Sequence, residues 1–486
     1  LFSIYDVYLQ NTYMSIKAKT SYFLKKNLVI IFLSPIYVNF LLNILLNKSL
    51  HHLFGFENLI RIMSLFLQFY FFFLLGKTIM KSINIDSPLL SLTYFLSSFY
   101  IIDMILLPFT KSLNSKFVFL IVVFSWILIF ILKLDNKKYV LYVIASWFLL
   151  NFFNREYFSL LKENNFFEEL NTDVTVQWLP LAEMIFANNY FYAFQNNLIE
   201  GQSLLPTYIQ TVIFRLNFFS NDFIFIQGNA NIFIIFGVLL IFDLKIKYKN
   251  KLITTFIFLS LILNNEWLFY LLGNSLMIEG IVAILVGVYV INLGKFMKES
   301  YPKKYFFFIF FGTLLLTKQF VSLLSLCLIF IILLFKKDIK ILISGLFLFL
   351  MNSIYKLLFL GKVNHVTYGE DLDLKELFFD LILFRNLSLN NANQVFKNIF
   401  IDIPLTYLML VFMISFLFSY FTKSSVRFDT FTMFFLVILN FGLIIILYIS
   451  YWKNIEVQSS YRYFINMFYL LFGSTIINLN SLERVE

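Results

Sequence analysis

Residues 303–338 read KKYFFFIFFGTLLLTKQFVSLLSLCLIFIILLFKKD. Two apolar runs, 305–317 and 320–335, meet at Thr317-Lys318-Gln319 and are bounded by Lys303-Lys304 on one side and Lys336-Lys337 on the other. Neither run carries a polar face, so in water each would have to be covered all round. Apolar runs with basic residues at both outer ends read as a membrane hairpin whose two ends share one side.

The same pattern runs through the chain. Its 486 residues are 60% hydrophobic, 21% aromatic and only 14% charged, with a mean hydropathy of +0.82. Soluble domains carry about 25% charge. Composition therefore excludes a soluble enzyme, a nucleic-acid binder and a disordered hub. The fold class expected is all-α, a polytopic transmembrane helix bundle of about 14 spans, each needing roughly 20 apolar residues. The expected spans are 27–46, 59–76, 88–108, 117–132, 139–153, 225–243, 252–264, 278–294, 305–317, 320–335, 339–358, 403–420, 430–450 and 463–478. No cleavable signal peptide is expected, because the first long apolar run begins near residue 27 and no small-residue cleavage site follows it.

Basic residues set the orientation. With both termini inside, 23 of 38 basic residues but only 9 of 28 acidic ones fall on the inner side, as the positive-inside rule requires. The net charge of +10 is explained in this way without nucleic acid. The organisation expected is N-terminal helices over 1–138, a core over 139–358 with an outer segment at 154–224, a second outer segment at 359–402, and C-terminal helices over 403–486. Both outer segments mix aromatic and charged residues and are expected to contain short amphipathic helices, one of them at 178–187 and another at 204–217. Long ordered connections of this kind are where function concentrates.

Several outer residues carry usable chemistry. Asp173 precedes Val-Thr-Val-Gln177-Trp178-Leu-Pro180 and sits where a helix amino end would keep it ionised; the plainer reading is a helix cap. Glu168 and Glu169 lie just before it, and Arg155 opens the same segment. Glu279 and, on the same connection, Glu266 lie at the outer end of the eighth span. Lys318 stands between two apolar runs, and Tyr461-Arg462-Tyr463 opens the last span. Ionisable residues at such places are functional candidates by default, although Lys318 or Arg462 taken singly could snorkel to the lipid headgroups. Cations and carboxylates on one face suit a phosphate-bearing substrate handled by acid–base chemistry.

Metal chemistry has little footing. Cys327 is the single cysteine, which excludes a disulfide framework and a cysteine-rich metal site. His51-His52 lacks further ligands. Glu370-Asp371-Leu-Asp373 leaves a divalent cation open as the one cofactor to consider, although a solvated acidic turn explains it as well.

These elements, in this order and on one side, resemble the GT-C superfamily of integral-membrane glycosyltransferases. The stretch from Asp173 to Ala182 is similar to the family's outer-loop Asp and Tyr-His-Leu-Pro-like element, with Gln177-Trp178 in place of Tyr-His, and Leu205-Pro206-Thr-Tyr208 to its following surface helix. Asn274 to Glu279, Leu316-Thr317-Lys318 and Tyr461-Arg462-Tyr463 resemble its acidic span opening, Thr-Lys turn and Arg-Tyr opening. The resemblance covers residues 139–335 and 455–478. It implies an inverting transfer of a sugar from a polyprenyl-phosphate donor to a hydroxyl of a glycan, lipid or protein acceptor, at the periplasmic or exterior face of a bacterial inner membrane. Asp173 would be the general base; Lys318, Arg462 and Arg155 would hold the donor phosphate; Glu279, Gln177, Trp178 and Tyr461 would contact substrate. Two alternatives stand beside it. One is an O-antigen or capsular repeat-unit polymerase or ligase using Arg385 and His365; the other is a lipid-oligosaccharide flippase, disfavoured by the lack of paired broken helices.

Overall fold

The computed structural model describes residues 205–214, 278–299, 303–317, 319–355, 388–400, 403–422, 427–451 and 460–483, together with Tyr301 and scattered positions within 87–101, 181–185 and 237–258. Every regular element among them is helical, which agrees with an all-α fold. The spans expected at 27–46, 59–76, 117–132 and 139–153 lie outside the described residues.

From residue 278 onward the expected spans fall mostly on helix, although 463–478 is broken at Asn466-Met467 and 356–358 lie outside the described residues. In chain order the elements are α1 (Leu205–Phe214), α2 (Glu279–Met297), α3 (Lys303–Phe311, prolonged by a 3₁₀ turn Gly312–Leu316), α4 (Gln319–Lys336) and α5 (Ile339–Tyr355). They continue as α6 (Leu389–Phe400), α7 (Ile403–Thr422), α8 (Arg427–Ile446, prolonged by a π turn Leu447–Tyr451), α9 (Ser460–Ile465) and α10 (Phe468–Glu483). Two stretches, Glu279–Met297 and Phe431–Ile449, are long and apolar enough to cross a membrane by length and composition; Val321–Lys336, Ile339–Met351, Thr406–Phe421 and Phe468–Leu479 are shorter apolar helices.

α2 is the axis. It is apolar all round and buried over most of its length, the pattern of a helix enclosed by others. Its closest neighbour is α10. A Cβ on Gly287 would lie 2.6 Å from that of Tyr469, and one on Gly473 would meet Ile291. Small residues at both crossings let the two helices approach closely. Both contacts advance along the chain in the same direction, so α2 and α10 run parallel. α3 returns antiparallel along α2: Phe307 stacks on Phe296 with centroids 4.5 Å apart, and Phe311 meets Tyr289 edge-on at 6.1 Å.

α4 and α5 form a hairpin. Its turn places Lys337 in the left-handed region (φ 53°), with the Lys337 N–H donating to Leu333 O at 2.7 Å, a helix-ending bond. α3 and α5 cross where Gly312 faces Gly345; a Cβ on Gly312 would strike the Gly345 carbonyl oxygen, whereas one on Gly345 would lie 2.9 Å from Ile329 Cδ1.

Two helices carry long apolar stripes on the outside of the bundle. The outward side of α5 presents Ile343, Phe347, Leu350 and Ile354, and α7 presents Leu410, Ile414, Leu417 and Phe421; all are exposed, Ile343 at 62% and Phe421 at 73%. By contrast α1, expected to lie along a surface, has Leu205, Thr207, Tyr208, Ile209, Gln210 and Thr211 all buried. One of its polar groups is satisfied within the helix, where Thr211 Oγ1 donates to Tyr208 O at 2.8 Å. Tyr208 in turn meets the Tyr100 ring edge-on at 5.4 Å.

Candidate functional site

The helix directions sort the charged residues into two ends. At one end Lys304 Nζ donates to Asp338 Oδ2 at 2.9 Å and the Tyr305 hydroxyl donates to the same oxygen at 2.8 Å. The Lys340 N–H donates to Asp338 Oδ1 at 3.2 Å, so Asp338 caps α5 while tying the start of α3 to the α4–α5 turn. Lys340 Nζ lies 5.8 Å from the Tyr301 ring centroid. The loops bearing Lys295, Lys298, Lys303, Lys304, Lys336, Lys337 and Lys340 thus share one end, as the charge pattern predicts. Partial burial opposes the Asp338 charge, but the Lys304 and Tyr305 hydrogen bonds outweigh it and hold the carboxyl below its usual pKa.

The start of α2 lies at the opposite end. Glu279 opens that helix and is fully buried, a position where the helix dipole favours negative charge. The parallel register of α2 and α10, carried back to their starts, sets Glu279 level with Tyr461 on α9, which precedes α10 and packs against α2. Tyr461 is also buried. Two residues singled out on the sequence are therefore brought to one level by the fold. Arg462 belongs to the same short helix, while its side chain lies outside the described residues. Thr317, the last residue before Lys318, ends the 3₁₀ turn on the side away from the lysine loops.

α6 closes this end. Asn391, Val395 and Ile399 make its buried stripe. Asn391 Nδ2 donates to Tyr448 O at 2.9 Å and the Ser388 N–H to Ile449 O at 3.0 Å. Both acceptors lie in the π turn of α8, a kind of local widening that occurs often at functional sites. Phe441 joins Phe396 of α6 (5.1 Å) to Phe464 of α9 (6.5 Å). α6 is thus an amphipathic helix of the kind the sequence predicts for the second outer segment.

Inward from Glu279 and Tyr461, a narrow apolar cleft is lined by Val286, Leu314, Val321, Leu328, Leu436 and Met467, among others. Met467 sits at the break between α9 and α10, where its N–H donates to Phe464 O at 3.0 Å. Sequence reading missed Asn440, one turn beyond Leu436 in α8, and Asn466, which directly precedes Met467 in the chain. Both are fully buried, and neither amide has a hydrogen-bond partner among the described residues. The signal was present, since each is a lone amide inside an otherwise apolar run.

Asp173, Gln177, Trp178, Arg155 and Lys318 lie outside the described residues, as do Glu168, Glu169, Glu266, His51, His52, His365, Arg385 and the Glu370–Asp373 turn. Among the described residues no three His, Cys, Asp or Glu side chains converge on a point where a metal ion could sit. No family model matches the chain, and no curated protein or solved structure is detectably similar to it.

Proposed function

We propose that this chain is a polytopic membrane glycosyltransferase that takes a sugar from a polyprenyl-phosphate donor and transfers it, with inversion, to an acceptor hydroxyl on the outer face of a bacterial inner membrane. The observation that carries the reading is the placement of Glu279. An ionisable residue buried at the end of an apolar span is a functional candidate by default, and this one lies level with Tyr461 and the Arg462-bearing helix, at the end away from the lysine loops. The long exposed apolar stripes on α5 and α7 support immersion in lipid, because faces of that extent are rare in water.

In the proposed reaction the acceptor oxygen attacks the anomeric carbon from the side opposite the phosphate. The bond between that carbon and the phosphate oxygen breaks, its electron pair staying on the phosphate. Asp173 receives the hydroxyl proton, while Lys318 and Arg462, with Arg155, hold the departing phosphate and stabilise its added charge. Glu279, Gln177, Trp178 and Tyr461 contact the substrates.

Purified protein in detergent, incubated with a panel of polyprenyl-phosphate sugars and a hydroxyl acceptor, should release polyprenyl phosphate. Absence of release across the panel, with donor binding also absent, would sink the reading and return weight to transport or to repeat-unit polymerisation.

A further inference from the structure

The turn between α4 and α5 gathers three exposed lysines, Lys336, Lys337 and Lys340, into five residues. Its backbone is fixed on both sides. The Lys337 N–H donates to Leu333 O at 2.7 Å and the Ile341 N–H to Asp338 O at 3.0 Å, so the three lysines leave one tight corner. Asp338 sits among them but is committed elsewhere: its Oδ2 receives Lys304 and Tyr305 from α3, and its Oδ1 receives the Lys340 N–H. Tyr301 stands at the same corner. Lys340 Nζ lies 5.8 Å from its ring centroid, Tyr305 meets it edge-on at 5.0 Å, and it is exposed. Residues 295–304 and 336–340 together hold seven lysines and two carboxylates, Glu299 and Asp338, an excess of five positive charges.

Exposed apolar side chains begin at this corner and run away from it. On α5 they are Ile339, Ile343, Phe347, Leu350 and Ile354, whose spacings of three and four keep them on one helix face. On α4 Leu334 and Phe330 are exposed next to the turn. From Ile339 to Ile354 the helix rises roughly 22 Å, more than the roughly 15 Å depth of one leaflet. A cationic corner heading an apolar stripe of that length is the complement of an amphiphile with an anionic head and long chains. A soluble phosphate compound would use the corner and leave the stripe bare; a zwitterionic lipid would cover the stripe and leave the charge excess unmatched. We infer that the α4–α5 corner is a binding site for an anionic phospholipid of the inner leaflet. Lys336, Lys337 and Lys340 take the phosphate, Tyr301 stands at headgroup level, and an acyl chain lies along the α5 stripe. The site is at the end opposite Glu279 and Tyr461, so it is separate from the donor-phosphate site. It rests on the membrane placement proposed above and not on sugar transfer.

The test titrates phosphatidylglycerol and phosphatidylcholine of equal chain length into the full chain in a neutral detergent, reading affinity from the rise in melting midpoint. The wild type should bind phosphatidylglycerol more tightly, and added salt should narrow the difference. The triple variant Lys336→Gln, Lys337→Gln, Lys340→Gln should lose roughly 100-fold in phosphatidylglycerol affinity, about fivefold for each lysine, and bind phosphatidylcholine as before. Arginine at the three positions should keep the preference, which separates lost charge from a folding defect. Lys245→Gln, Lys247→Gln and Lys249→Gln together remove the same charge from another inner loop and should cost far less. Equal losses in the two glutamine triples would overturn the inference in favour of diffuse surface charge. Equal wild-type affinity for the two lipids would overturn it too, as would glycerol phosphate matching the effect of phosphatidylglycerol at the same concentration, which makes the ligand a soluble anion. Wild-type protein that is monodisperse without detergent and binds neither lipid would remove the membrane placement itself. A charge-dependent preference in protein that releases no polyprenyl phosphate supports this site while the transferase reading falls.

Discussion

Asp338 and Glu279 are both carboxylates at the start of a helix, one capping α5 and the other opening α2, at opposite ends of the bundle. Asp338 is about a fifth exposed, its side chain showing 22% of its surface, and it receives hydrogen bonds from Lys304, Tyr305 and the Lys340 backbone. Glu279 shows no surface at all and lies level with the buried Tyr461. At the lysine end polar groups satisfy one another close to solvent, and the ion pair there acts as a fastener. At the other end the fold spends stability on buried polarity and keeps it beside an apolar cleft. Under the proposed function, that imbalance separates an anchoring end from a working one. It predicts that substitutions at the first end change stability and those at the second change chemistry.

The largest expected effect belongs to Asp173, which the sequence assigns to the working end. Asn is nearly isosteric and caps helices equally well, so Asp173→Asn should express normally and bind donor normally. Its turnover should drop by about 100-fold or more, the usual scale of general-base loss. A variant that keeps near-normal turnover in the release assay would reduce Asp173 to a cap and weaken the contrast between the ends.

Next come the cations. Lys318→Met and Arg462→Met should each weaken binding of a polyprenyl-phosphate sugar by roughly 10- to 150-fold, the range for charge-assisted contacts, with little change in melting temperature. Unaltered affinity in both would make them interfacial anchors, like the lysines opposite.

A smaller effect, and of a different kind, is expected at the lysine end. Asp338→Asn should leave turnover unchanged and lower the melting midpoint by about 2–4 °C at pH 7, as befits a partly exposed pair worth about 1 kcal/mol. The sign of its pH dependence comes from a folded-state pKa held below the ordinary value. The stabilisation is present above the unfolded value near 3.9 and fades as pH falls through the lower folded value. Melting curves for wild type and variant should therefore draw together as pH falls below about 4 and meet only below the folded value. A gap that persists there would show that shape rather than charge holds the turn.

The smallest effect should appear at Lys337. Its left-handed backbone suits glycine better than any side chain, so Lys337→Gly should stabilise by about 0.5–1 kcal/mol with no effect on turnover. A loss of stability would mean that the lysine side chain contributes more to this end than its backbone strain costs.

Much of the helical order from residue 278 onward was legible because apolar length and lysine placement are strong local signals. The common level of Glu279 and Tyr461 followed from sidedness and is matched by the α2–α10 register. Other features depend on partners far away in the chain. The burial of α1 includes a contact between Tyr208 and Tyr100, far away in the chain, which its own periodicity does not announce. The docking of α6 on the π turn needs Asn391 to find Tyr448 O, far along the chain. Asn440 and Asn466 were overlooked because hydropathy averages a single amide away inside an apolar run. The link between Lys304 and Asp338 joins residues on separate turns, which charge counting places on one side without pairing them.

The crossing of α3 and α5 also has a bearing on how this sequence can drift over generations. At Gly312 any side chain would meet a main-chain oxygen, which cannot swing aside, whereas at Gly345 it would meet the tip of Ile329, which can. The two glycines face each other, yet their freedom to vary is unequal. In a library of random variants position 312 should stay almost invariant, while position 345 should admit alanine or serine whenever position 329 shortens to valine. The pair behaves as a fixed point and a sliding one, and chance substitutions should accumulate on the sliding side alone.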